Sequence, residues 1–156
     1  MKNAFLGIDG DRLLHAQAVG ERIAEIGREF FAWDERKCQE MFILGYLHDV
    51  GYRYSRNQLE HEEVGGLLLK EAGYKYWQEV YYHGVPDADY QSDELLALNM
   101  ADMETSKSGQ RISMDERLKD IANRYGDDSV QYRKAAALVE EITEQVNTIE
   151  ARTGKR

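Results

Sequence analysis

Apolar residues recur along most of this chain at the three-and-four spacing of a helix face, and β-branched alternation is scarce. The pattern predicts an all-α protein, a bundle of about six to seven helices. The first follows Asp9 or Asp11 and runs to about Phe31, with Leu14, Ala18, Val19, Ile23 and Ile26 on its apolar face. Asp34 suits the N-cap of a second helix, since its carboxylate can accept from free N–H groups of the first turn. That helix carries Met41-Phe42-Ile43-Leu44-Gly45-Tyr46-Leu47 up to His48 and Asp49, and Gly51 breaks it. Tyr52 to Leu59 is polar and unpatterned and reads as a loop.

A third helix is predicted over about Glu60 to Ala72, stopped by Gly73. A fourth, rich in aromatics, covers Tyr74 to His83 and ends ahead of Gly84 and Pro86. Ser92 caps a fifth, in which Asp93 and Glu94 suit the positive end of the helix dipole and Leu95, Leu96 and Leu98 lead to Asp102. After a loop with Lys107, Ser108 and Gly109, the run Ser113-Met114-Asp115-Glu116 is a capping box opening a sixth helix that ends at Gly126. A last helix runs from about Asp128 to Ala151. No repeat, low-complexity tract or linker divides the chain, so residues 1–156 read as a single domain.

Composition narrows the class. Hydrophobic residues make up 42% and charged residues 31%, as in a globular protein. No apolar run approaches the roughly 20 residues of a membrane span, and the apolar part of the N-terminus is too short for a secretory signal. A cytoplasmic location is expected. The single cysteine, Cys38, excludes an internal disulfide and a cysteine-rich zinc site, and reads as core filler. A net charge of −9 argues against general nucleic-acid binding but not against a small anionic substrate.

The candidate chemistry lies in the histidines. All four fall between residues 15 and 83, and His48 is followed directly by Asp49 at the end of an apolar run. Burying a carboxylate beside an imidazole is costly without compensation, and a bound cation compensates. His15, His48, Asp49, His61, His83 and Asp102 all sit on or at the ends of predicted helices, where bundles build metal sites. Mixed imidazole and carboxylate donors suit iron, manganese, zinc, cobalt or nickel. Six ligands are too many for one metal that must admit substrate and about right for two sharing a carboxylate, with Asp49 the natural bridge and the residue at the heart of catalysis.

The order His15, His48-Asp49 and a distal Asp102 resembles the HD superfamily of metal-dependent phosphohydrolases. His61 in Leu59-Glu60-His61-Glu62-Glu63-Val64-Gly65-Gly66 and His83 in Tyr81-Tyr82-His83-Gly84 resemble the extra histidines of its dinuclear members. The stretches Ala101 to Ser106, Gly109 to Ser113, Glu116-Arg117-Leu118 and Arg124-Tyr125-Gly126 are similar to a bacterial subgroup of predicted HD hydrolases. The resemblance spans roughly residues 10 to 140, with a metal-site core over about 10–110 and C-terminal helices over about 113–151. It implies that His15, His48, Asp49 and Asp102 hold one metal and that Asp49, His61 and His83 hold the second.

It also implies hydrolysis of a phosphomonoester or phosphodiester, nucleotide-like, by a metal-bound hydroxide. Many relatives carry a lysine three residues after the aspartate; Tyr52 stands there instead, so Arg53 or Lys107 becomes the substrate-binding candidate. Glu62 or Glu63 could supply a proton. The aromatics Tyr74, Tyr76, Trp77, Tyr81 and Tyr82 could stack a nucleobase, though such stripes more often pack. Two rival readings stay open: an HD-type di-iron oxygenase, and a non-catalytic nucleotide-binding sensor. The partners foreseen are a small phosphorylated substrate, no membrane and no general nucleic acid, with oligomerisation left open.

Overall fold

Asp34 opens the helix that the pattern places after it. In the computed structural model, which describes residues 10–53 and 61–153, its side chain accepts from the Lys37 N–H at 2.8 Å. The helices are α1 (Gly10–Glu29), α2 (Glu35–Leu47), α3 (His61–Glu71), α4 (Trp77–Tyr82), α5 (Asp93–Met103), α6 (Met114–Tyr125) and α7 (Val130–Thr153). A 3-10 turn, Val50–Arg53, follows α2. Among the described residues there is no strand, only an isolated antiparallel bridge between Thr105 and Arg111. The protein is an all-α bundle. The loop expected over residues 52–59 lies outside the described residues except at its start, which belongs to the 3-10 turn.

Helix α5 is the axis. Its run Leu95 to Asn99 is buried throughout, so it carries no solvent face at its centre. Ala97, Leu98 and Ala101 pack with Val19, Ile23 and Ile26 of α1, Met41 and Leu44 of α2, and Val80 of α4. Leu96 and Met103 pack instead with Ala135, Leu138 and Ile142 of α7, against which Leu118 and Ile121 of α6 rest. Two apolar clusters on opposite sides of one helix thus join the N-terminal helices to the C-terminal pair.

Helices α1 and α2 approach until their backbones touch. A Cβ on Gly45 would come within 2.7 Å of Gly20 Cα, and one on Gly20 within 2.8 Å of the Phe42 carbonyl oxygen. Only glycine allows that spacing, and it brings the end of α2 beside the first turns of α1.

Several predicted boundaries move, each for a local reason. Helix α1 stops at Glu29 rather than Phe31, because the Phe31 N–H turns back to the Ile26 carbonyl (3.3 Å) and Ala32 takes a positive φ of 55°. Helix α4 starts at Trp77, not Tyr74. The Tyr74 N–H is used to close α3, bonding Leu69 O at 2.9 Å around Gly73, whose φ is +79°. Helix α7 starts at Val130, where the Ser129 hydroxyl accepts from the Tyr132 N–H at 3.0 Å. The capping box of α6 is present in both its bonds. On α1, Leu14 is 51% exposed although the apolar pattern turned it inward, and the neighbouring His15 is buried in its place.

Candidate metal centre

The centre begins with a device used twice. His48 and His83 each sit at the position that ends a helix, α2 and α4, where the last carbonyls lack intrahelical partners. In each, Nδ1 lies 2.6 Å from the carbonyl three residues back, Gly45 O for His48 and Val80 O for His83. A carbonyl can only accept, so Nδ1 carries the proton, and in the neutral ring Nε2 is left with a free lone pair. His15 is held likewise, with Nδ1 2.8 Å from Ser106 O in the loop after α5. That loop is tied by Ile112 N–H to Glu104 O (3.0 Å) and Ser106 N–H to Gln110 O (2.8 Å).

The three Nε2 atoms converge on carboxylates. His15 Nε2 lies 2.9 Å from Asp102 Oδ1 and 3.7 Å from Asp49 Oδ2. His48 Nε2 lies 3.3 Å from Asp49 Oδ2 and 3.4 Å from Asp102 Oδ1. On the other side of the same aspartate, Oδ1 of Asp49 lies 3.1 Å from His61 Nε2 and 3.6 Å from His83 Nε2. Asp49 therefore turns one oxygen to the His15–His48–Asp102 group and the other to the His61–His83 pair. All six residues foreseen as ligands from the sequence meet here. With Glu62 as a seventh, their donor atoms fall into three overlapping sets, each compact enough for an ion: His15, His48 and Asp102; His48, Asp49 and His83; and His61, Glu62 and His83.

A cation fits this arrangement. His48 is fully buried, and its Nε2 has no hydrogen-bond partner among the described residues. A lone pair facing two carboxylate oxygens is repelled unless a positive charge stands between them, and metal-ligating histidines typically show this pairing of Nδ1 with a carbonyl. The titration behaviour agrees. Burial pulls the His48 imidazole toward neutrality, yet Asp49 and Asp102 outweigh it and hold its pKa well above the usual histidine value. Burial pushes Asp49 up, but His48 foremost, with His61 and His83 close by, holds it well below the usual carboxylate range. Asp102 behaves the same way against burial, held down by His48 and His15. The cage favours positive charge at its centre.

The second group has a further oxygen donor. Glu62 is buried at the start of α3, with Oε2 3.4 Å from His61 Nε2, whereas Glu63 is exposed. Glu62 sits beside the cluster and Glu63 faces away from it. The sequence reading missed Asn99, whose Oδ1 accepts from the Gly84 N–H at 2.8 Å and fixes the chain just after His83. Its signal was a polar side chain inside the apolar run of α5, one helical turn before Asp102.

Contact between α3 and the turn after Asp49 brings His61 into range. A Cβ on Gly51 would overlap the His61 carbonyl oxygen and come within 2.6 Å of the Gly65 N.

Lys107 is exposed but lines the same cavity as the cluster, while the Arg53 side chain lies outside the described residues. The aromatic stripe packs instead of lining that cavity. The Tyr76 hydroxyl donates to Glu40 at 2.8 Å, the Tyr74 hydroxyl is buried, and Lys70 Nζ lies 4.7 Å above the Trp77 ring. Cys38 is buried against Trp33, and burial pushes its thiol pKa up, which suits filler and not a nucleophile. Among the described residues no helix is long and apolar enough to cross a membrane. No family model, curated protein or solved structure matches this chain.

Proposed function

We propose that this chain is an HD-type metal-dependent phosphohydrolase acting on a small phosphate ester. In this reading His15, His48, Asp49 and Asp102 hold one divalent transition metal ion, and Asp49, His61 and His83 hold the second. The observation that carries it is the divided carboxylate of Asp49, one oxygen among His15, His48 and Asp102 and the other between His61 and His83. Ions bound there would supply Lewis acidity, lowering the pKa of a water and offsetting the charge on phosphoryl oxygens.

The protein's own residues do the rest. Backbone carbonyls hold His15, His48 and His83 in one tautomer, so the ligand geometry is set before substrate arrives. Glu62, buried beside His61 on the cavity wall, is placed to take up or return a proton at the reacting oxygen. Basic side chains in the same cavity favour a phosphorylated substrate over the uncharged one an oxygenase could accept.

The test is metal analysis of the purified protein joined to a phosphate-release screen with manganese, cobalt or magnesium. Release that disappears in His48→Ala and Asp49→Ala supports the hydrolase. Two irons with oxygen uptake and no phosphate release would replace it with the di-iron oxygenase. Less than one metal per chain after reconstitution would replace it with a binding module.

A further inference from the structure

A cavity of about 200 Å³ opens on the cluster, and His15, Asp49, His61, Glu62 and Asp102 form part of its lining. The C-terminal helices form another part. Arg117 and Arg124 reach it from α6 and Lys134 from α7, joined by Arg12 and Lys107, while Ile121 and Leu138 supply apolar surface. In a chain of net charge −9 this concentration of cations is unusual, and among the described residues the three lining carboxylates, Asp49, Glu62 and Asp102, all belong to the cluster.

The basic groups of α6 and α7 are poorly matched by acids. Arg117 and Arg124 share one carboxylate oxygen, Oδ2 of Asp120, at 3.8 and 2.7 Å, and Asp120 does not line the cavity. Arg117 keeps Nε and Nη1 buried with no hydrogen-bond acceptor among the described residues. Buried guanidinium donors without acceptors are costly, and their planar fork matches a phosphate or carboxylate. Lys134 Nζ stands 3.9 Å from Glu62 Oε1, beyond hydrogen-bonding distance, and lines the same cavity.

We infer that the substrate carries a second anionic group, a phosphate or carboxylate on its alcohol portion, and that Arg117 and Lys134 bind it. This rests on the hydrolase reading and adds the substrate class to it. The substrate is compact, because the cavity is smaller than the roughly 300–1,000 Å³ usual for ligand pockets. Among the described residues, Tyr125 is the one Phe, Tyr or Trp in the lining.

The test compares propyl phosphate with propane-1,3-diol bisphosphate, by calorimetry on the manganese-loaded protein and by phosphate release. The bisphosphate binds at least about tenfold more tightly, the size of one or two charge-assisted hydrogen bonds. Arg117→Met and, separately, Lys134→Met weaken the bisphosphate far more than propyl phosphate and bring the ratio of the two affinities close to one, while Arg117→Lys keeps part of the preference. Equal affinity of the unaltered protein for both esters overturns the inference, as does equal weakening of both by Arg117→Met and Lys134→Met. Failure to release phosphate from either ester counts against the hydrolase reading alone, because the affinity ratio still decides whether a second anion is recognised.

Discussion

Oδ1 of Asp49 stands 3.1 Å from Nε2 of His61, the first residue of α3, while Oδ2 of Asp49 faces His48 at 3.3 Å. One side chain thus belongs to both halves of the cluster, and Asp102 to only one. In the proposed two-metal reading, Asp49→Asn keeps the shape, removes the shared charge and loses both ions. Metal content measured by mass spectrometry falls from about two per chain to well below one. Asp102→Asn removes only the ion held with His15 and His48 and leaves about one. Retention of two ions by Asp49→Asn would show that the aspartate does not bridge.

Asn99 tests the support of the second half. Its Oδ1 takes the Gly84 N–H, and Asn99→Ala leaves that donor without its partner next to His83. Stability drops by about 0.5–1.5 kcal/mol, the usual worth of one hydrogen bond. In the proposed two-metal reading, affinity at the His61 and His83 half drops by about 10- to 100-fold, as for other residues that orient a ligand, while the half with His15 and Asp102 keeps its affinity. Competitive titration with a chromophoric chelator separates the two. Parallel loss at both sites would make the effect a general loosening of the fold.

Gly51 tests how α3 reaches the centre. The methyl of Gly51→Ala would meet backbone atoms of His61 and Gly65, which cannot rotate away as a side chain can. Helix α3 must shift, and His61 moves off Asp49. The variant binds one ion in place of two and is less stable by about 1–3 kcal/mol, the usual cost of overpacking. Its circular dichroism stays helical, since α1, α2 and α5 do not pass through this contact. Full binding of two ions in Gly51→Ala would separate α3 from the metal site.

The candidate ligands that close apolar runs were legible in the chain because their position is one-dimensional. His48 and Asp49 follow Leu47, and His83 follows an aromatic helix, so each lies at a helix end on periodicity alone. His15 was legible only as a member of the series, because the apolar pattern placed Leu14 inward and the actual helix phase buries the histidine. Glu62 and Glu63 were not separable. Neighbours on a helix point about 100° apart, and the first turn of α3 holds no large apolar residue to set the phase. The start of α4 was misplaced because Tyr74 and Tyr76 continue an apolar pattern, while the Tyr74 N–H belongs to the cap of α3. Arg117, noted only within a stretch similar to the HD subgroup, and Lys134 gave no signal of a place at the site, since only the packing of α6 and α7 against α5 brings them to a cavity they share with His15, Asp49 and His61 of the N-terminal half.

The capping box of α6 makes a pH-dependent prediction clear of the metal ligands. The Ser113 hydroxyl accepts from the Glu116 N–H and the Glu116 carboxylate from the Ser113 N–H, each at 3.0 Å. Those bonds, the backbone one foremost, hold the Glu116 carboxyl below its usual pKa of 4.5. A depressed folded value means the box contributes stability above 4.5 and loses it as pH falls through the folded value. Arg117 follows directly, so the first turn of α6 also sets where its guanidinium stands. Ser113→Ala costs about 1 kcal/mol and raises the Glu116 pKa toward that of a free glutamate. A carbon-detected NMR titration of the glutamate carboxyls reads both effects, with amide exchange at residues 114–117 rising over the same acidic range. An unshifted Glu116 in the unaltered protein would mean that the box does not hold this turn in solution.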